Sequence, residues 1–387
     1  MYHFELLTLS LSALMLGIFI LSNVRHAKVL LGLIGLLDVV LVVQIAKQNF
    51  RWNFTLLYLA GLILTSLMLY IMIKPTHFTQ IKIKTRFKVM NLILFATVAF
   101  LLYAFPVPSL TSPTGLYFVG TTSYDVMDVS RNEVYSETPN TPRKFMFQVW
   151  YPAENVEKLN KDPWLSSGDE VTLGLARLGH LPDFALQQLA LVTSNAYLDA
   201  EVSRGLPKYP VILLSHGWSS SRLLHTNMAE ALASNGYIVI GIEHTYGSIA
   251  TAFVDGDVTY FSEKTLPSIE YSPEFLNNGN QLIKTFAGDI SYMIDALDDI
   301  QKGISGPEIL KGRLDLDKIG LLGHSTGGGA AVLTSLHDER IKSMLIYDPW
   351  VEPLENEEIE LGLSVPTLIL DRKSVVLGKS VDIGGRR

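Results

Sequence analysis

The run Ile319-Gly320-Leu321-Leu322-Gly323-His324-Ser325-Thr326-Gly327-Gly328-Gly329-Ala330-Ala331-Val332-Leu333 decides how this chain is read. Its start is apolar enough for a buried strand and its end has the small apolar residues of a helix start, with a serine between them that has glycine two places away on either side. A strand that bends straight into a helix leaves little room for side chains, so glycines flank the bend while the central residue is strained and its side chain exposed. That is where a nucleophilic hydroxyl belongs. Glycine-rich turns also cradle phosphates, but this one lacks a Gly-Lys-Ser/Thr ending and holds its serine at the centre. Ser325 is therefore the predicted nucleophile.

Outward from this motif, short strands are expected over 145–150, 211–215, 237–243, 319–323, 343–347 and 367–370, several of them near-continuous apolar runs. Segments 223–234 and 281–301 recur at helical spacing. The order strand, helix, strand predicts an α/β fold with a doubly wound, mostly parallel sheet. Segment 156–203 has no clear pattern and is expected to form a helical cap or lid. A serine needs a base to take its proton and amide donors for the oxyanion that forms. The N–H of Thr326, next after Ser325, is one predicted donor. The other is the N–H of Trp218 in Ser215-His216-Gly217-Trp218, which ends the apolar run 211–214. His216 is read as shaping that loop.

The chain has 387 residues and no cysteine, which excludes thiolate metal sites, iron–sulfur clusters and cysteine nucleophiles. No metal or cofactor is expected. Hydrophobic residues make up 48% and charged residues only 18%, against about 25% charged in an ordinary soluble domain. Charge is unevenly divided: residues 1–114 carry +7, residues 115–370 carry −17 and residues 371–387 carry +3. An acidic domain does not suit nucleic acid, which needs clustered Lys and Arg. Apolar runs at 6–22, 29–46, 54–73 and 89–105 have the length of membrane spans. They predict an integral, multi-pass anchor over 1–106 with the bilayer as partner, and a linker at 107–114. Asp38 lies within the second run and is expected to pair with another helix or sit shallow. Arg25, Lys28, Lys74, Lys82, Lys84, Arg86 and Lys88 stand on one side against Lys47 and Arg51 on the other, so residues 115–370 are expected to face away from the cytoplasm.

Ser215-His216-Gly217, Glu243-His244, Gly323-His324-Ser325-Thr326-Gly327-Gly328 and Asp348-Pro349-Trp350 resemble, in order and spacing, blocks of the platelet-activating-factor acetylhydrolase family of serine esterases. Gly115 to Asp128, Arg131 and Val149-Trp150-Tyr151-Pro152 resemble that family's opening, so the likeness covers about 115–370. It suggests a bacterial-type, membrane-anchored and C-terminally truncated member. The resemblance implies an α/β-hydrolase fold, metal-independent hydrolysis of short-acyl or oxidised phospholipid esters, and an acid shortly after the nucleophile. Asp348, which follows the strand 343–347, fits that acid.

The order of the triad on such a fold is Ser, acid, His. All nine histidines here, His3, His26, His77, His180, His216, His225, His244, His324 and His337, precede Asp348. Residues 371–387 switch to basic and show no amphipathic period; they resemble a translated sequencing adapter and are expected to be a non-native read-through tail. A chain without the triad base is expected to be nearly inactive, since losing that base costs on the order of 10⁶ in turnover. His244 and His216 are the available substitutes. Three other functions stay open: a catalytically silent membrane sensor or binding module, an esterase of polyesters or other non-lipid esters, and a transporter with an appended domain.

Overall fold

The computed structural model describes residues 3–21, 27–73 and 85–371. It divides into two units, Met1–Ser109 with His180–Val192, and Leu110–Gly179 with Thr193–Arg387. The expected tail begins at residue 371 and otherwise lies outside the described residues.

Helices α1 (His3–Leu21), α2 (Ala27–Gln48), α3 (Thr55–Ile73) and α4 (Thr85–Ala104) form the first unit. Among the described residues no helix is long and apolar enough to cross a membrane. The expected four-span anchor, the integral-membrane localisation with an outward-facing hydrolase domain, the bilayer partner and the reading as a membrane-anchored family member are corrected by this finding. The physical reason lies in what these runs pack against. Leu11, Ile34, Leu37, Leu41, Phe54 and Leu102 bury one another, and polar pairs sit among them. Arg51 donates to Glu5 at 2.8 Å with both side chains almost wholly buried, Tyr58 donates to Gln44, and Thr65 donates to Asp38. A hydropathy window counts such residues without seeing that they satisfy one another. The outer faces still carry exposed Leu36, Val39, Leu62 and Ile63. Asp38 has the helix-to-helix partner expected for it.

The second unit is built on a sheet whose strands are β1 (Phe118–Asn132), β2 (Pro142–Glu154), β3 (Lys161–Pro163), β4 (Thr193–Leu198), β5 (Glu201–Val202), β6 (Tyr209–Ser215) and β7 (Ile238–Glu243). The short hairpin of β8 (Ala250–Ala252) and β9 (Val258–Tyr260) stands apart, and the main sheet continues with β10 (Leu314–His324), β11 (Ile341–Tyr347) and β12 (Thr367–Leu370). The order is β12-β11-β10-β6-β7-β2-β1-β4-β3, with β5 beside β2. Neighbours from β12 to β7 are parallel, whereas β2 pairs antiparallel with both β7 and β1. The sheet is thus mixed and mostly parallel, as an α/β hydrolase requires.

Alternation along the parallel strands explains their unbroken hydrophobicity. Leu213, Ile240 and Leu321 enter the core that contains α7 (Pro273–Lys302) and α8 (Thr326–His337), while Leu214, Val239 and Leu322 join Ala229 and Ala233 of α6 (Thr226–Ser234). Helices therefore cover both faces. Ser272 caps α7 by accepting the Phe275 N–H at 3.1 Å, Pro273 sits in its first turn, and Gly303 ends it at φ 70°. Segment 156–203 departs from the expected helical cap. It holds one helix, α5 (Gly168–Leu178), and the strands β3, β4 and β5 that extend the sheet. The polar start of β4, Thr193-Ser194-Asn195, offers no alternating signal, yet β4 pairs parallel with β1. The last helix, α9 (Asn356–Leu361), lies between β11 and β12.

Candidate active site

Ser325 stands between β10 and α8 at φ 53° and ψ −119°, a conformation that side chains other than glycine's rarely adopt. The surrounding glycines are required sterically. A Cβ at Gly323 would lie 2.5 Å from the Gly327 carbonyl oxygen, and one at Gly327 would lie 2.4 Å from the carbonyls of both Ser215 and His216. The bend is therefore tight, and it rests directly on the end of β6. Ser325 itself is half-buried.

The loop after β6 passes against the serine. A Cβ at Gly217 would come within 3.1 Å of the Ser325 Cβ. Trp218 follows, its indole N–H donating to Thr265 Oγ1 at 2.7 Å and its ring meeting Phe261 edge-on at 5.2 Å. The backbone N–H groups of Trp218 and Thr326 have no protein acceptor among the described residues, and Thr326, as the first residue of α8, has no intrahelical one. Two amide donors are thus unspent beside one hydroxyl. Asp348 follows β11 at φ 45°, half-buried, and its N–H donates to the Leu370 carbonyl at 2.7 Å. Next to it, Pro349 lies 3.0 Å from where a Gly328 Cβ would be, which brings the acid's turn onto the elbow.

No histidine hydrogen-bonds the Ser325 hydroxyl among the described residues. His244, fully buried, accepts the Ser215 hydroxyl at Nε2 (2.8 Å) and donates from Nδ1 to Asp289 (3.0 Å), with its ring stacked 3.7 Å from Phe286. Burial pushes its pKa down to about 4, so the ring is neutral. His216, also buried, turns to the Gly217 carbonyl and to Glu243. The two substitutes named from sequence are therefore committed elsewhere. His225 and His324 face each other at 5.8 Å, and burial pushes the His225 pKa down to about 4 as well. His180 and His337 are exposed; His26 and His77 lie outside the described residues. Among the described residues no group of three His, Asp or Glu could hold a metal ion.

The family model described as platelet-activating factor acetylhydrolase, isoform II, matches residues 109–381. The chain belongs to that family. Relatives within the acetylhydrolase group include the platelet-activating factor acetylhydrolase of Bos taurus, 28% identical over 43% of this chain and 40% of the relative. That of Canis lupus familiaris is 29% identical over 56% of this chain and 52% of the relative. The chain spans about half the length of the curated relatives it matches. A ferulic acid esterase from Streptomyces cinnamoneus has a similar solved structure, with a TM-score of 0.56, 24% identity and 70% of each chain covered. That likeness bears on the fold alone.

Sequence reasoning did not find the polar network behind the elbow. Asp289 of α7 binds His244 and accepts a two-pronged contact from Arg143 at 3.0 and 2.6 Å, while Arg131 reaches it at 2.8 Å. Burial raises the Asp289 pKa, but Arg143 and His244 outweigh it and hold the carboxyl well below the usual range. The one available signal was an aspartate on the apolar face of a long amphipathic helix.

Proposed function

We propose that this protein is a serine carboxylic-ester hydrolase whose nucleophile is Ser325. The observation that carries the proposal is the half-buried serine at a strained bend beside two unspent amide donors. In this reading the Ser325 hydroxyl attacks an acyl carbonyl, and the N–H groups of Trp218 and Thr326 hold the oxyanion; one such donor is worth about 2.7–4 kcal/mol in the transition state. Collapse of the tetrahedral intermediate expels the alcohol and leaves an acyl-enzyme, which water hydrolyses. Asp348 orients the imidazole that shuttles the proton. The names of the relatives favour an acetyl or similarly short acyl group on a glycerophospholipid. Among the described residues no histidine reaches Ser325, so the base is supplied in the test.

Added imidazole tests this. The chain is incubated with a fluorophosphonate and, separately, with p-nitrophenyl acetate, each with and without imidazole, alongside Ser325→Ala. Labelling and imidazole-dependent hydrolysis above the Ser325→Ala background are expected. Labelling that persists in Ser325→Ala would reject the nucleophile.

A further inference from the structure

The peptide unit between Gly217 and Trp218 has two ends, and they point in opposite directions because the bond is trans. Its N–H is one of the two unspent donors. Its carbonyl accepts from His216 Nδ1 at 2.7 Å and from the Ser220 N–H at 3.2 Å. A carbonyl can only accept, so Nδ1 of His216 carries the proton whatever its other nitrogen does.

The His216 ring is held from behind. Its Nε2 accepts the backbone N–H of His244 at 3.1 Å, and Glu243 Oε1 lies 3.1 Å from the same atom. Glu243, wholly buried at the end of β7, also accepts from the Ser221 hydroxyl at 2.9 Å and from Arg222. The preceding residue is clasped in the same way, since the Ser215 hydroxyl donates to His244. Two consecutive residues of β6 and its loop, Ser215 and His216, are thus both gripped by His244, just past β7, the first through its ring and the second through its main-chain N–H. Core packing alone asks for no such arrangement. Four polar side chains buried to within 2% of complete cover are costly unless bonded, and of these it is His216 whose bond ends on that peptide.

We propose that His216 is a positioning residue, braced at Nε2 by the main-chain N–H of His244, which aims the Trp218 N–H at the oxyanion by holding the Gly217 carbonyl. This rests on the assignment of Ser325 above and adds the device that preorganises one of its donors. Without the Nδ1 donor the peptide can rotate, and the N–H is lost to the transition state while substrate binding remains.

Two substitutions separate positioning from packing. The amide nitrogen of asparagine falls near the place of Nδ1, and that of glutamine near the place of Nε2. In imidazole-supported hydrolysis of p-nitrophenyl acetate, His216→Gln is expected to lower kcat about tenfold further than His216→Asn does, with KM within about twofold in both. Equal losses in the two variants, or a change confined to KM, would overturn the proposal. If the unsubstituted chain shows no Ser325-dependent turnover, the assignment of function fails, and the positioning is judged by nitrogen NMR of the histidine-labelled chain. A slowly exchanging proton on Nδ1 of His216 supports the hydrogen bond; an unprotonated Nδ1 refutes it. The same spectrum decides the matter if the variants do not fold.

Discussion

Trp350 donates its backbone N–H to the carbonyl of Ser325 at 3.0 Å, and the N–H of Ser325 donates to the carbonyl of Tyr347 at 3.0 Å. The turn containing Asp348 is thereby tied to Ser325 on both sides through main chain alone. Its carboxylate stays in place when its own chemistry is changed. Asparagine tolerates the positive φ found here. Asp348→Asn is therefore expected to leave the thermal midpoint nearly unchanged while imidazole-supported turnover falls about tenfold or more, since a neutral amide stabilises an imidazolium poorly. Undiminished turnover would remove Asp348 from the proposed mechanism.

Strain at Ser325 makes a second prediction. Holding a non-glycine residue at φ 53° and ψ −119° costs about 1–3 kcal/mol, of which glycine's greater unfolded-state entropy returns about 1. Ser325→Gly should therefore gain about 1 kcal/mol in urea unfolding while losing all fluorophosphonate labelling. A less stable variant would show that the bend is relaxed.

Acid should weaken the fold through His244. Its pKa is about 4 in the folded protein against an ordinary 6.5, because burial disfavours the charged ring. The unfolded chain then binds more protons between these values. The contribution is fully present above pH 6.5, falls as pH drops toward 4, and amounts to about 3 kcal/mol across that window. Asp289, held below its ordinary value, loses its contribution at still lower pH. Urea unfolding of the protein and of His244→Gln at pH 7, 6, 5 and 4.5 tests this. An unchanged slope in the variant would exclude His244 as the source.

Arg143 is the cation that allows two carboxylates to be buried behind the site. It meets Asp289 through two nitrogens and Glu133 through a third, with all three side chains nearly inaccessible. Arg143→Met leaves both acids short of a partner and should cost about 3–5 kcal/mol. Removing one acid as well, in Arg143→Met with Glu133→Gln, should recover part of that loss. Additive losses in denaturant melts would mean that the two residues act independently.

Local pattern settled the elbow, because its constraint is local: a strand cannot turn into a helix over five residues unless the side chains around the bend vanish, and glycines at 323, 327, 328 and 329 declare that. The parallel strands were equally legible, since burial on both faces leaves unbroken apolar runs such as 211–214 and 238–240. Outside the apolar runs legibility ended. Strand β1, interrupted throughout by Thr, Ser and Asp, is a strand because β2 and β4 supply its hydrogen bonds. The runs near the N-terminus read as spans because hydropathy scores each residue against solvent, and the pairing of Glu5 with Arg51 or Asp38 with Thr65 is invisible until helices are set side by side.

The sequence by itself determined the glycine-flanked setting of Ser325, the positions of the core strands along the chain and the family, all of which rest on contacts between near neighbours or on unbroken motifs. Only the tertiary structure decided where the histidines go. His216 and His244 are 28 residues apart and share a buried network with Asp289, a further 45 residues on, because the ends of the two central strands β6 and β7 meet α7. A hydrogen bond constrains distance in space, and the chain records only distance along itself.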